Sequence, residues 1–203
     1  MIQNNIELQN KLANSNIIWA HSGIGKTYLY RQGRNDIIDF DFEYKGVIGD
    51  YLAFPDLLLD SNISEDEANR IRHSSKIMVD RLFDLAIEEA KTINKKLLVS
   101  DVRLLQERFK DFDIIISIPK DTYLNNTINR KELSRNSRLI IKEKIDKVLE
   151  NISDKHKVFE ITCYLSDVLP MLEEYNFLSK KERHSKLINR FKYLSKELSK
   201  LNY

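Results

Sequence analysis

The chain has 203 residues, of which 42% are hydrophobic and 32% are charged, a balance typical of one globular domain with a sizeable core. Its 33 basic and 31 acidic side chains leave a net charge of +2, which argues against a uniformly basic nucleic-acid binder. A single cysteine, Cys163, cannot form an internal disulfide, and no apolar run approaches the roughly 20 residues that span a bilayer. We therefore expect a cytoplasmic protein that does not enter the membrane.

Short apolar runs alternate with helical patterns along the chain. The runs predict strands at 17–20, 37–41, 97–101, 114–118 and 158–162. Helices are predicted at 27–32, 64–94, 122–151, near 167–174 and from about 180 onward. Nearly continuous apolar strands separated by helices favour an α/β fold, with a five-stranded parallel sheet flanked by helices. In such sheets, ligands bind beyond the carboxyl ends of the strands.

The strongest motif is Ala20-His21-Ser22-Gly23-Ile24-Gly25-Lys26-Thr27, which lies between the first predicted strand and the first predicted helix. It matches the phosphate-binding loop, Gly-x-x-x-x-Gly-Lys-Ser/Thr, except that alanine stands first. Small residues let successive backbone N–H groups face a phosphate, and the helix N-terminus adds its dipole. We predict that this loop binds a nucleotide, with Lys26 on the β- and γ-phosphates and Thr27 on Mg²⁺. The expected cofactor-binding residues are Ser22, Gly23, Ile24, Gly25, Lys26 and Thr27.

The other strand ends help to choose among phosphate-loop proteins. No Asn-Lys-x-Asp motif reads a guanine base, and the strand at 97–101 ends in one acid rather than an acidic pair. Asp101 is followed by Val102-Arg103, and this pattern resembles the nucleoside monophosphate kinase-like branch of P-loop kinases. The resemblance in order and spacing covers most of residues 16–170. The segment at 164–169 is also similar to small phage and bacterial deoxynucleotide kinase-like proteins.

The resemblance implies a kinase-like domain over residues 1–175, with an acceptor-binding insertion at about 42–94 and a lid at about 120–140. It also implies ATP and Mg²⁺ as donor and cofactor, because phosphoryl transfer needs charge neutralisation and in-line positioning. Asp101 is then expected to hold Mg²⁺ through water beside Thr27, or else to cap the next helix. Arg103 is expected to clamp a phosphate, or else to be a solvated helix arginine.

Two acids lie at the carboxyl end of the second predicted strand. Asp39 and Asp41 lie two residues apart and face the same side of a strand. Shikimate kinase-like enzymes carry an Asp-x-Asp at a similar place, which contacts the acceptor and the metal. That resemblance implies that Asp39 or Asp41 holds an acceptor hydroxyl and acts as its base. The alternative is that both acids cap a loop.

The insertion and the lid supply further candidates. Phe42, Tyr44, Tyr51, Phe54 and Pro55 either stack on a planar base or merely bury a small subdomain. Arg70, Arg72 and His73 either bind an acceptor phosphate or are exposed helix charges. Related kinases carry lid arginines after the fourth strand, and here the candidates are Arg130, Arg135 and Arg138, with Lys131 beside them. The alternative is a solvated basic face.

The last segment, 176–203, is a basic amphipathic helix with a local charge of +6, whereas residues 36–67 sum to −9. Its apolar stripe, Leu187, Phe191, Leu194, Leu198 and Leu201, either packs back on the domain or pairs with a second subunit as a homodimer. The basic face suits contact with DNA, because some phage relatives phosphorylate modified bases in DNA. The sequence thus predicts a phosphotransferase that acts on a nucleotide or nucleoside-like acceptor. The alternative is a nucleotide-binding regulatory ATPase or partner-binding module.

Overall fold

The computed structural model of the protein describes residues 2–46, 64–128 and 134–200. Its strands are β1 (Ile17–Ala20), β2 (Ile37–Asp39), β3 (Lys96–Val99), β4 (Ile114–Ser117) and β5 (Val158–Glu160). Its α-helices are α1 (Ile2–Ala13), α2 (Lys26–Gln32), α3 (Glu65–Thr92), α4 (Val102–Arg108), α5 (Lys120–Asn126), α6 (Arg135–Glu150), α7 (Leu165–Val168) and α8 (Lys180–Leu198). A short π-helical turn, Asp41–Lys45, follows β2.

The five strands form one all-parallel sheet in the order β2-β3-β1-β4-β5, which confirms the predicted sheet. β1 lies at its centre, and Trp19 is in register with Val99 on one side and with Ile115 on the other. The chain runs from β1 toward β2 on one side and from β4 toward β5 on the other. The strand order therefore reverses beside β1, where open parallel sheets form their ligand crevice.

The sheet is buried on both faces because successive side chains point to opposite sides. Ile17 and Trp19 face a core that α3, α4, α6 and α8 cover, whereas Ile18 and Ala20 face a core that α1, α2, α5 and α7 cover. This double cover explains why the strands are continuous apolar runs rather than alternating ones. No helix among the described residues is long and apolar enough to cross a membrane.

Two helical predictions need correction, and one helix was not predicted. The stretch predicted at 122–151 is two helices, α5 and α6, and residues 129–133 between them lie outside the described part. The helix predicted near 167–174 is wrong, because α7 ends at Val168. Leu169 is extended, as expected before Pro170, since proline disfavours a helical preceding residue. The helix α1 was not predicted, although Leu8 and Leu12, both buried, carry the i,i+4 signal of an amphipathic helix.

The C-terminal helix packs back on the domain. A capping box between Ser179 and Glu182 starts α8, and Leu194 and Leu198 are buried in the core that faces α3. Phe191, which belongs to the same predicted stripe, is 44% exposed, so the stripe is narrower than the spacing suggests. Leu201 lies outside the described residues.

We expect Leu194→Ala to lower the free energy of unfolding by about 2–5 kcal/mol, because it leaves a cavity in a fully buried site. Ile188→Ala removes a similar side chain from an exposed position of the same helix and is the matched control. Urea unfolding of both variants measures the difference. Equal, small effects would show that α8 does not contribute to the core.

Candidate active site

The loop after β1 has the bent backbone that its glycines predict. Gly23 and Gly25 have φ values of +89° and +97°, a region that residues with a side chain rarely adopt. The N–H of His21 donates to the carbonyl of Ile116 on β4 over 2.9 Å, which ties the start of the loop to the neighbouring strand. The loop thus lies where the strand order reverses.

Neighbouring segments close in on this loop. A Cβ added at Gly23 would lie 2.9 Å from Cγ2 of Thr127, at the end of α5, so glycine is required there for space as well as for φ. A Cβ added at Gly25 would lie 3.5 Å from the ring of Tyr164. Tyr164 is half exposed and therefore offers an accessible aromatic surface beside the loop.

Lys26 and Thr27 lie near Asp39, the last residue of β2. Lys26 is buried, and its Nζ donates to the carbonyl of Ala20 over 3.2 Å. The hydroxyl of Thr27 donates to Oδ2 of Asp39 over 3.4 Å, while the N–H of Phe42 donates to Oδ1 over 3.3 Å. Burial raises the pKa of Asp39 to about 6, since the attraction of Lys26 only partly offsets the loss of water.

Asp41 and Asp101 meet at the ends of β2 and β3. Oδ2 of Asp41 accepts from the N–H of Ser100 over 3.0 Å and from its hydroxyl over 2.6 Å. Oδ1 of Asp101 accepts from the N–H groups of Arg103 and Leu104, so the helix-capping alternative for this acid is realised. Burial would raise the pKa of Asp101, but the Lys45 ammonium and the cap outweigh it and hold that pKa below its usual value.

These oxygen donors suit a magnesium ion that a nucleotide brings with it. Among the described residues, no group of three or more His, Cys, Asp or Glu side chains forms a metal cage. Mg²⁺ is commonly bound by one or two carboxylates together with substrate phosphates. The Thr27 hydroxyl and the Asp39 carboxylate, 3.4 Å apart, are hard oxygen ligands of that kind.

Arg103 pairs with two acids on α3 and α4. Its Nη1 donates to Asp80 over 2.9 Å and to Glu107 over 3.3 Å, which ties α4 to α3. Arg70, Arg72 and His73 are exposed on the first turns of α3.

The candidate lid lies beside the loop, next to Thr127 at the end of α5. Arg135 and Arg138 line one cavity of about 600 Å³ between α5 and α6, so they share a face as predicted. Arg138 is buried and donates to the carbonyl of Thr127, the residue that contacts Gly23. Arg130 and Lys131 lie outside the described residues, as do Tyr51, Phe54 and Pro55 of the acceptor segment.

The two remaining aromatic candidates have different surroundings. Tyr44 is fully buried and stacks on Phe40, so it follows the core alternative. Phe42 is 38% exposed and packs 4.8 Å from the ring of Tyr30.

Three further residues at the site were not among the predicted site residues. His21 is fully buried, packs 4.9 Å from the Tyr123 ring, and has its pKa lowered to about 4 mainly by burial, so it is neutral at physiological pH. Lys142 on α6 is buried and pairs with Asp146. It lies four residues after Arg138, and this i,i+4 spacing places both residues on the same face of a helix, which could have identified Lys142 from the sequence. Lys45 lies 2.8 Å from Oδ2 of Asp101.

A cavity of about 980 Å³ lies elsewhere, between α3 and α8. Asn35 and Lys95, which precede β2 and β3, line it, so it faces the amino edge of the sheet rather than the phosphate loop. Its lining holds four cations and three acids, so its charge does not favour a phosphate: Lys95, Lys181, Lys186, Arg190, Glu88, Glu89 and Glu182.

No protein-family model, curated protein or solved structure matches the chain. Its function therefore has to be inferred from the chemistry of these residues.

We expect Asp39→Asn to stabilise the metal-free protein at pH 7.5 by roughly 2 kcal/mol, because it removes a buried charge. The folded pKa is above the unfolded one, so the contribution of Asp39 to stability is present below about pH 4 and is lost as the pH rises through about 6. The gain in Asp39→Asn should therefore vanish below about pH 4. Urea unfolding with a chelator, from pH 4 to 7.5, measures it.

The exposed acid Asp121, changed to Asn, is the control and should alter stability by less than about 0.5 kcal/mol at any of these pH values. An Asp39→Asn variant that is less stable than the wild type at pH 7.5 would contradict the expectation.

Proposed function

We propose that the protein is a phosphotransferase that moves the γ-phosphoryl group of ATP, with Mg²⁺, to a nucleotide or nucleoside-like acceptor. The observation that carries the proposal is the pairing of the Thr27 hydroxyl with the buried Asp39 carboxylate beside a loop bent at Gly23 and Gly25. Kinase chemistry needs such a pairing because a phosphate cradle must adjoin a metal-facing acid. The position of the loop at the reversal of strand order supports the same proposal.

On the donor side, the backbone of residues 22–25 and the Lys26 ammonium would hold the phosphates. Lys26 is suited to this role because it is buried beside the loop and offsets negative charge in a site with little water. Thr27 and Asp39 would hold Mg²⁺, with Asp101 reaching the ion through water, and the ion would supply charge neutralisation on the β- and γ-phosphates when bound. Arg138, close to the loop through Thr127, would add a further cation from the lid side.

On the acceptor side, Asp41 is the better of the two acids to meet a hydroxyl. Its side chain is 32% exposed, whereas Asp39 is buried and occupied by Thr27. The Asp41 carboxylate would accept the proton of the acceptor hydroxyl as that oxygen bonds to the γ-phosphorus. The bond between the γ-phosphorus and its bridging oxygen breaks in the same step, and ADP leaves with that oxygen.

The experiment that tests the proposal is ADP release in the presence of ATP, Mg²⁺ and a panel of deoxynucleotides, nucleosides and DNA. We expect at least one acceptor to stimulate release, and Lys26→Ala to reduce the stimulated rate roughly 100-fold or more, because it removes a charge that the transition state needs. Lys91→Ala, an exposed lysine at the end of α3, is the matched control and should leave the rate unchanged.

Slow ATP hydrolysis that no acceptor stimulates would overturn the kinase proposal and favour the regulatory ATPase. If DNA is the acceptor, stimulation should fall steeply as salt is raised, because contacts with DNA phosphates release counterions. A free deoxynucleotide or nucleoside should show a much weaker dependence on salt.

We also expect Asp41→Asn to retain nucleotide binding but to lose most acceptor-stimulated turnover, because the amide cannot accept the proton. Equilibrium binding of a fluorescent ATP analogue and steady-state ADP release separate the two effects. Loss of nucleotide binding in Asp41→Asn would place this acid on the donor side instead.

A further inference from the structure

Lys45 is the last residue of the π-helical turn after β2, and its ammonium lies between two carboxylates. Nζ is 2.8 Å from Oδ2 of Asp101, at the end of β3, and 3.9 Å from Oδ1 of Asp41. Its side chain is 29% exposed and is therefore accessible to solvent. A positive charge thus stands between the ends of two strands whose acids are metal or acceptor candidates.

The other oxygens of these two acids are already engaged. Oδ1 of Asp101 accepts from the N–H groups of Arg103 and Leu104, and Oδ2 of Asp41 accepts both hydrogen bonds from Ser100. The oxygens that remain for a cation, Oδ2 of Asp101 and Oδ1 of Asp41, are the two that Lys45 faces. An ion or its water shell could reach either of them most directly if Lys45 moved away.

We propose that Lys45 is a built-in competitor for Mg²⁺ at Asp101, and that it occupies the cation-facing oxygen of this acid until a metal–nucleotide complex displaces it. The inference rests on the proposed function, because it takes the Mg²⁺ of phosphoryl transfer as the competing cation. A lysine suits the role, since its ammonium is a compact point charge on a flexible stem and leaves more readily than a bidentate arginine.

The competition has two physical consequences. In the resting protein, the Lys45 ammonium offsets the mutual repulsion of the Asp41 and Asp101 carboxylates. When a divalent cation arrives, it must outcompete an ammonium that is already in place, so the metal alone should bind weakly. The phosphates of a nucleotide add ligands for the metal and shift the balance toward displacement.

The direct test is the binding of Mn²⁺ alone, followed by the loss of the electron paramagnetic resonance signal of the hydrated ion. We expect Lys45→Met to bind Mn²⁺ at least about tenfold more tightly than the wild type, because the substitution removes one competing charge and keeps a stem of similar length. Lys45→Arg should bind no more tightly than the wild type. Lys76→Met is the matched control, since Lys76 pairs with Glu107 on α4, and its affinity should be unchanged.

A second substitution locates the effect. Asp101→Asn keeps a side chain that can cap α4, so adding it to Lys45→Met should abolish the gain in affinity without uncapping the helix. If Lys45→Met binds Mn²⁺ no more tightly, or if the gain survives Asp101→Asn, the proposal is wrong. Lys45→Gln serves as a second neutral variant if Lys45→Met does not fold, and the same outcomes apply to it.

The failure of this inference and of the proposed function are distinguishable. Wild-type protein that binds no ATP analogue overturns the proposed function, whatever the Mn²⁺ affinities are. Wild-type protein that binds the analogue, together with unchanged Mn²⁺ affinity in Lys45→Met, overturns the role of Lys45 alone.

Discussion

The carboxylate of Glu43 is fully buried, and several elements meet to neutralise it. Lys186 of α8 lies 2.6 Å from Oε2 of Glu43 and Arg190 lies 3.6 Å from it, while Oε1 accepts from the N–H of Asp39 over 3.3 Å. A buried charge without such partners would cost several kcal/mol, so the π-helical turn and α8 depend on each other. Arg190 also pairs with Glu89 on α3 and donates to the hydroxyl of Tyr44 over 2.8 Å, which extends the network to a third element.

This network explains part of the uneven distribution of charge along the chain. The net charge of residues 36–67 is −9 and that of residues 176–203 is +6. In the sequence alone, such charged segments indicate contact with external partners. In the fold, Lys186 and Arg190 turn inward to Glu43 and Glu89, and Arg183 donates to the backbone of Tyr30 and Arg31. Part of the basic helix therefore balances the acidic segment of its own domain. The cations left for a nucleic acid are fewer than the local charge suggests.

Local signals made much of the fold predictable. Each strand is a short apolar run, and the capping serine of α3, Ser64, accepts the expected hydrogen bond from Glu67. The loop after β1 could be located as a candidate phosphate-binding loop because its glycines and Lys26-Thr27 lie next to one another in the chain. Contacts between distant residues could not be predicted in this way. Arg103 pairs with Asp80, and nothing in the sequence near Arg103 indicates that α3 passes beside it.

The same distinction separates the two sides of the candidate site. The proposed donor side is local, because one loop and the helix after it supply the backbone N–H groups, Lys26 and Thr27. The proposed acceptor side is assembled from β2, β3, the π-helical turn and α8, and its acids are balanced by Lys45 and Lys186. Since the N–H of Asp39 donates to Glu43, the carboxylate that faces Thr27 is held by a network that ends on the C-terminal helix. A motif can therefore identify the proposed donor side, whereas the counter-charges around the proposed acceptor-side acids are visible only once the fold brings α8 against the π-helical turn.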